Sequence, residues 1–258
     1  MILVVDVGNT NIKFGIVKDR ELLATFKMAT DRGKTVDEYW FFLEVLAKRL
    51  NIEMSSMDRI VICSVVPTLD PVFSSLSQRY FNKPALFVEP GIKTGLTIMT
   101  ENQKEVGADI VAGSVGAMTF YSVPAIVISF GTATVLTGIS AKKELLGVSI
   151  APGLTSSAEA LFKNTSKLPR VDLKDPGIFL GRNSSESLQS GFYYGFQGLI
   201  HYLIAGIKQE MKEESVTVIA TGGLCSLISR AIPEISFTDQ YLNLKGLAVI
   251  YEKNLENR

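Results

Sequence analysis

Apolar and polar positions repeat with two different periods along this chain, and the switches between them mark its elements. Ile2–Asp6 is a short apolar, β-branched run, and Gly8-Asn9-Thr10-Asn11 is turn chemistry. Ile12–Val17 resumes the extended pattern, Lys18-Asp19-Arg20 turns again, and Glu21–Met28 predicts a third strand. Thr35-Val36-Asp37-Glu38 has the form of a capping box and predicts a helix to about Leu50. Arg59–Ser64 reads as a strand, Leu69–Phe81 as a helix and Ala85–Val88 as a short strand. Ser156-Ser157-Ala158-Glu159 predicts the opening of a further short helix. From Ser184 to about Met211, capped by Asn183 and Glu186, the residues Leu188, Phe192, Phe196, Leu199, Ile200, Leu203, Ile207 and Met211 recur at helical spacing. That stripe belongs to a core or a subunit interface. Val216–Ala220 predicts a strand running into Thr221-Gly222-Gly223, followed by a helix near Ser226 and a final helix over Asn243–Tyr251. Strands and helices in this order predict α/β layers.

The opening pattern occurs twice. Slid by 123 positions, Leu3–Ala24 falls on Ile126–Gly147 without a gap, with Gly8 over Gly131, Gly15-Ile16 over Gly138-Ile139 and Glu21-Leu22-Leu23 over Glu144-Leu145-Leu146. Duplication of one strand meander explains such a match better than chance similarity of hairpins, and it predicts two similar halves. The expected boundary separates residues 1–115 from 116–258.

Composition narrows the class. The chain has 258 residues, 47% of them apolar and 20% charged, with 26 basic and 26 acidic side chains. It has enough apolar residues for a real core, and zero net charge argues against a nucleic-acid or anionic-membrane partner. Two cysteines, Cys63 and Cys225, sit in apolar surroundings as small buried thiols, which excludes a disulfide framework or a Cys-based zinc site. The single histidine, His201, lies in an apolar helical stretch and reads as a satisfied or edge residue rather than a catalyst. The N-terminus has no signal-peptide pattern, and apolar runs such as Pro124–Phe130 are far shorter than the ~18–20 residues of a membrane span, so a cytoplasmic protein is expected.

The chemistry sits at the repeated turns. Asp6, Gly8, Asn9, Thr10 and Asn11 in one copy, and Ser129, Gly131, Thr132, Ala133 and Thr134 in the other, combine glycine with small hydroxyl and amide side chains. Such turns let the backbone approach a ligand and form anion-binding concavities, so two of them facing each other across a cleft would hold a polyphosphate. Asp6 ends a buried strand, where Mg²⁺ held through waters would offset the cost of its charge, and Lys13 is placed to meet a phosphate. Two ordinary hairpins, with Asp6 capping its own turn and Lys13 solvated, are the competing reading. Asp109, in Gly107-Ala108-Asp109, opens a helix of small residues and is either an N-cap or a group that orients or deprotonates an attacking hydroxyl. The P-loop and dinucleotide-binding fingerprints are missing.

A doubled meander with Asp-Gly turns resembles the actin, Hsp70 and sugar kinase architecture of two duplicated ribonuclease-H-like domains closing a cleft over ATP, and Ala220-Thr221-Gly222-Gly223 resembles its adenosine-side turn. More specifically, the chain resembles the type III pantothenate kinases over nearly its whole length. Asp6-Val7-Gly8-Asn9-Thr10-Asn11 looks like their first phosphate motif, Phe130-Gly131-Thr132-Ala133-Thr134 like their second, and Gly107-Ala108-Asp109 like their pantothenate and base motif. Supporting stretches are Ser64-Val65-Val66-Pro67, Ala151-Pro152-Gly153-Leu154, Lys167-Leu168-Pro169-Arg170-Val171 and Gln189-Ser190-Gly191.

The resemblance implies MgATP-dependent phosphorylation of pantothenate towards coenzyme A by a homodimer that needs potassium or ammonium. It assigns the base to Asp109, Mg²⁺ to Asp6 through water, and ATP phosphates to Gly8, Asn9, Thr10, Asn11, Lys13, Gly131 and Thr132. Thr100, Gly107, Ala108, Asp109, Ile110 and Ser184 fall at the substrate positions, Ser184 in place of the family's Thr. Three departures stand out. Ser129 replaces the Asp that coordinates the monovalent cation, and Ile110 replaces the Arg that meets the pantothenate carboxylate. Thr100-Glu101-Asn102-Gln103 stands where the family has Tyr and then Asp-Asn-Pro. They leave two alternatives beside an active kinase: an impaired nucleotide-binding paralogue that pairs with a functional one, or a kinase for another small hydroxyl acceptor.

Overall fold

The structure, a computed structural model, describes residues 1–213 and 215–255. It is a mixed α/β fold with two compact units. One comprises Met1–Phe120 and the segment from Leu242 onward; the other is Tyr121–Tyr241.

The first unit contains β1 (Ile2–Val7), β2 (Asn11–Lys18), β3 (Glu21–Ala29), α1 (Val36–Arg49), β4 (Arg59–Ser64), α2 (Asp70–Phe81), β5 (Leu86–Phe87), β6 (Thr97–Ile98) and α3 (Ala108–Phe120). Its sheet has the order β3-β2-β1-β4-β5, with an antiparallel meander β1-β2-β3 and parallel pairs β1-β4 and β4-β5. The Thr35 capping box is formed: its hydroxyl accepts from the Glu38 N–H, and the Glu38 carboxylate accepts from the Thr35 N–H. The second unit contains β7 (Ala125–Phe130), β8 (Ala133–Ile139), β9 (Glu144–Pro152), α4 (Leu154–Asn164), α5 (Ser184–Met211), β10 (Thr217–Gly222), α6 (Cys225–Ile228) and β11 (Phe237–Thr238). Its strands run β9-β8-β7-β10-β11, the same meander and the same parallel extension.

The duplication is therefore one of topology, but its registers refine the gapless alignment. Val7 pairs with Ile12 across the turn Gly8–Asn11, whereas Phe130 pairs with Thr134 across the shorter turn Gly131–Ala133. The next turn is longer by one residue in the second copy, which restores the frame: Ile16 pairs with Ala24, and Gly138 with Gly147. Both β2 and β8 then carry a bulge at the corresponding place, between Ile16 and Val17 and between Gly138 and Ile139. Position for position, Gly15 corresponds to Thr137, because Val4 faces Gly15 and Val127 faces Thr137. The matching glycines in the sequence are thus one register apart in the sheets.

One face of each sheet holds the core. Leu3, Val5, Val7, Phe14 and Ile62 pack with Tyr39, Leu43, Phe73 and Leu76 of α1 and α2. The corresponding Ile126, Ile128, Phe130 and Leu136 pack with Phe196, Ile200 and Ile204 of α5 and with Leu154 and Cys225. α5 spans the range its periodicity predicts, capped by Asn183, whose side chain accepts from the Glu186 N–H. His201 stands exposed on it, paired with Glu234. α4 begins earlier than Ser156: Gly153 is its N-cap, and the Ser156 hydroxyl donates instead to the Thr132 carbonyl at 2.8 Å. Among the described residues no helix is long and apolar enough to cross a membrane.

The last helix, α7 (Leu242–Lys253), belongs to the first unit. A boundary between 115 and 116 would cut α3, and it would leave α7 with the second half. α7 instead packs against α3 at backbone distance: a Cβ on Gly246 would lie 1.8 Å from the Ala112 carbonyl oxygen, and one on Gly116 would lie 2.6 Å from that of Leu242. Leu244 covers Gly15, where an added Cβ would also crowd Leu22 and Val4. Arg20 in the β2–β3 turn pairs with Glu252 at 2.6 Å, and Asn254 donates to the Lys93 carbonyl at 2.9 Å. Gly246→Ala is expected to destabilise the protein by about 3 kcal/mol or more, because backbone must move. Gly206→Ala, in α5 with nothing within 4 Å of the added methyl, is expected to stabilise by about 0.5–1 kcal/mol. Urea unfolding of both variants checks the pair.

Candidate functional site

The first unit's site is built as a row across its sheet. Lys13 on β2, Asp6 on β1 and Cys63 on β4 are register partners and so lie side by side on one face. This is the face opposite the α1/α2 core, because side chains alternate along each strand. β1 is buried throughout, and Asp6 is only 8% exposed. Its two oxygens are held separately: the Cys63 thiol donates to Oδ1 at 3.4 Å and Asn243 Nδ2 of α7 donates to Oδ2 at 3.2 Å. Burial, reinforced by the negative charges of Asp6 and Asp109, pushes the Cys63 thiol well above its usual range, so it stays an S–H donor.

The chain then turns at Gly8. The Gly8 N–H donates to the Asn11 carbonyl at 3.1 Å, and a Cβ on Gly8 would lie 2.9 Å from that oxygen, so the tight turn excludes a side chain. Thr30, just past β3, ties the turn down: its hydroxyl donates to the Gly8 carbonyl at 2.6 Å and its N–H to the Thr10 carbonyl at 3.0 Å. Asn9 and Thr10 are exposed at the tip.

Asp109 lies in the first turn of α3 rather than at an N-cap. Its Oδ1 accepts from the Ile110 N–H at 2.9 Å, and Gly107 leaves room, since a Cβ there would meet that oxygen at 2.6 Å. Burial first, and then the charge of Asp6, raise the proton affinity of Asp109 above the ordinary carboxylate value. The sequence-predicted Asp6, Lys13 and Asp109 are thereby brought into one electrostatic neighbourhood, with Ala108 and Ile110 partly buried beside Asp109. Thr100 precedes α3 with its hydroxyl enclosed and without a hydrogen-bond partner among the described residues.

In the second unit the corresponding row is Val135, Ser129 and Thr221, with no charge in it. The Gly131 N–H donates to the Ala133 carbonyl at 3.0 Å, and the Thr132 carbonyl accepts from the Gly153 N–H at 3.1 Å. A Cβ on Gly153 would come within 2.3 Å of the Gly131 carbonyl oxygen, so the turn is pressed against the start of α4. Gly222, at φ +96°, ends β10 with no room for a side chain beside the Phe130 carbonyl. Ser184 is exposed at the first position of α5.

Sequence reasoning missed three contributors. Asn243 comes from the far end of the chain and carries no local signal. Cys63 was read as a packing thiol, and only strand register reveals that it faces Asp6. Thr30 lay outside the motif, although the repeat places Gly153 at the same position.

These features match known proteins. A family model described as type III pantothenate kinase matches residues 2–206. A type III pantothenate kinase of Geobacter sulfurreducens is 42% identical over 256 residues, covering 99% of this chain and 100% of that protein. Among solved structures, a conserved Campylobacter jejuni protein assigned to the Baf family of transcriptional activators superposes with a TM-score of 0.61 at 19% identity, covering 99% of this chain and 100% of that one. The activator of 2-hydroxyisocaproyl-CoA dehydratase from Clostridium difficile, solved with bound ADPNP, gives 0.58 at 12% identity over 99% and 96% of the two chains. The fold is that of the actin-like and sugar kinase ATPases, and by the family model and the Geobacter relative together the chain belongs to the type III pantothenate kinase family.

Proposed function

We propose that this protein transfers the γ-phosphoryl group of ATP to the hydroxyl of pantothenate, giving 4'-phosphopantothenate, the first step of coenzyme A biosynthesis. One observation carries the reading: in a chain of this family, the buried Asp6 at the mouth of the Gly8 turn and the Asp109 carboxylate sit near enough for the charge of one to raise the proton affinity of the other. Phosphoryl transfer asks for little covalent help from the protein; it needs positioning and neutralisation of charge.

Asp6 fits a magnesium ion, which takes one or two carboxylates and keeps several waters rather than demanding an all-protein cage. Asp6 would hold it through water, and the ion would supply neutralisation of charge on the ATP phosphates. The Gly8–Asn11 turn and Lys13 bind phosphate oxygens in the first unit. Gly131 and Thr132, packed against the start of α4, form a second turn suited to phosphate, where backbone N–H groups and a helix N-terminus favour an anion. Asp109 orients the pantothenate hydroxyl and accepts its proton as the bond to phosphorus forms. Its raised proton affinity suits that task, since a base works best when its pKa moves towards the working pH. Ile110 offers no charge to the pantothenate carboxylate, and Thr100 and Ser184 supply hydroxyls to the acceptor. The protein works in the cytoplasm as a homodimer.

Asp109→Asn is expected to lower kcat by about 10²- to 10⁴-fold with little change in KM for ATP, read in a coupled ADP-release assay. The deprotonated carboxylate is the active form, so kcat/KM falls as pH drops through the Asp109 pKa. That acid limb is expected above the ordinary aspartate range, because burial and the charge of Asp6 raise the proton affinity of Asp109, and it disappears in the Asn variant.

Ile110→Arg is expected to lower KM for pantothenate by about tenfold or more, the usual worth of a charge-assisted contact. An unchanged KM would point to an acceptor without a carboxylate. With Ser129 in an uncharged row, turnover is expected to depend weakly on potassium or ammonium, and Ser129→Asp to increase that dependence; titration with each salt tests it.

A further inference from the structure

We propose that Asn243 and Cys63 act together as a two-donor clamp that fixes the orientation of the Asp6 carboxylate for metal binding, which makes the C-terminal helix a working part of the nucleotide site. The proposal rests on the reading of Asp6 as the residue that holds Mg²⁺ through water. Asn243 lies beyond the span 2–206 matched by the family model.

The geometry is specific. A carboxylate turns about its last side-chain bond with a broad, nearly two-fold preference, so one hydrogen bond leaves it free to swing. Here each oxygen has its own donor, Cys63 Sγ on Oδ1 and Asn243 Nδ2 on Oδ2. The donors come from different elements, β4 and α7. Each oxygen keeps acceptor capacity beyond these bonds, which leaves room for the waters of a hydrated cation. A buried carboxylate without such partners would be costly and would have to reorganise when the metal arrives.

Asn243 is placed by a rigid support. It is the second residue of α7, and its Oδ1 occupies the space over Gly113 of α3, where an added Cβ would lie 2.8 Å away. α7 is pinned at its other end by Glu252 to Arg20 and is pressed backbone to backbone against α3 at Gly246. α3 carries Asp109 in its first turn, so the helix that presents the base and the helix that steadies Asp6 form one packed pair. Neither Leu nor Ala at 243 could donate to Asp6.

The test compares Asn243→Leu, Cys63→Ala, their double variant and Cys63→Ser with the parent, using Asp6→Asn as the benchmark. Calorimetry measures ATP affinity with and without Mg²⁺, and kinetics measure the Mg²⁺ activation midpoint. Asn243→Leu and Cys63→Ala are each expected to raise the midpoint by about three- to tenfold and to weaken MgATP binding in step. Metal-free ATP binding and KM for pantothenate should stay within about twofold, a split that general loosening of the fold would not produce. Cys63→Ser, which restores a hydrogen-bond donor, is expected to behave as the parent. The double variant should approach Asp6→Asn. Should Asn243→Leu fail to fold, Asn243→Ala, which also lacks the donor and adds no charge, carries the same expectation. If Asp6→Asn shifts the Mg²⁺ midpoint while the clamp variants do not, the clamp is overturned and the role of Asp6 stands. If Asp6→Asn itself leaves the Mg²⁺ dependence unchanged, the metal reading fails, and the clamp fails with it.

Discussion

A carboxylate at the end of a fully buried strand is the constraint around which the first unit is organised. β1 has no exposed residue, and Asp6 sits one position before its end, on the face that α7 covers. An ionised group there is tolerated only with partners or a cation. The partners come from β4 and from a helix more than 230 residues further along the chain, and the hydrogen bond that delivers one of them spans |i−j| = 237. Leu244 over Gly15, Gly246 against Ala112 and Asn243 beside Gly113 all follow from bringing that helix close to the same face. At Gly15 and Gly113 a side chain of α7 occupies the space of the missing Cβ, and at Gly246 the backbone of α3 does.

The two copies show how duplication supplies symmetry of frame and asymmetry of chemistry. The sheets share strand order, core face and even the position of a bulge. Yet the row Lys13-Asp6-Cys63 in one copy corresponds to Val135-Ser129-Thr221 in the other. All charge in that row is confined to the first copy, where Asp109 also stands. The second copy instead shortens its turn by one residue and presses it against the start of α4 through Gly153.

Ile110 and Ser129 change the setting of the site without changing its frame. Ile110 donates its backbone N–H to Asp109, a contact that any residue except proline would make at that position, so the base keeps its orientation. Ser129 likewise keeps its place in the parallel register with Thr221.

Much of this was legible in the order of residues alone. Strand meanders, the Thr35 cap, the limits of α5 and the two glycine turns follow from local chemistry: φ/ψ preference, capping and periodicity act over a few residues, and a single sequence contains them. The doubled pattern gave the two related halves, and motif spacing pointed to Asp6 and Asp109. What tertiary structure decided are the relations between distant segments. Strand register brought Cys63 beside Asp6, shifted Gly138 against Gly15 and revealed the shorter second turn. Helix packing carried α7 to the first unit and set Asn243 on the buried carboxylate. Register and packing are settled by the mutual fit of whole surfaces, so no window of the chain, however closely read, holds that information.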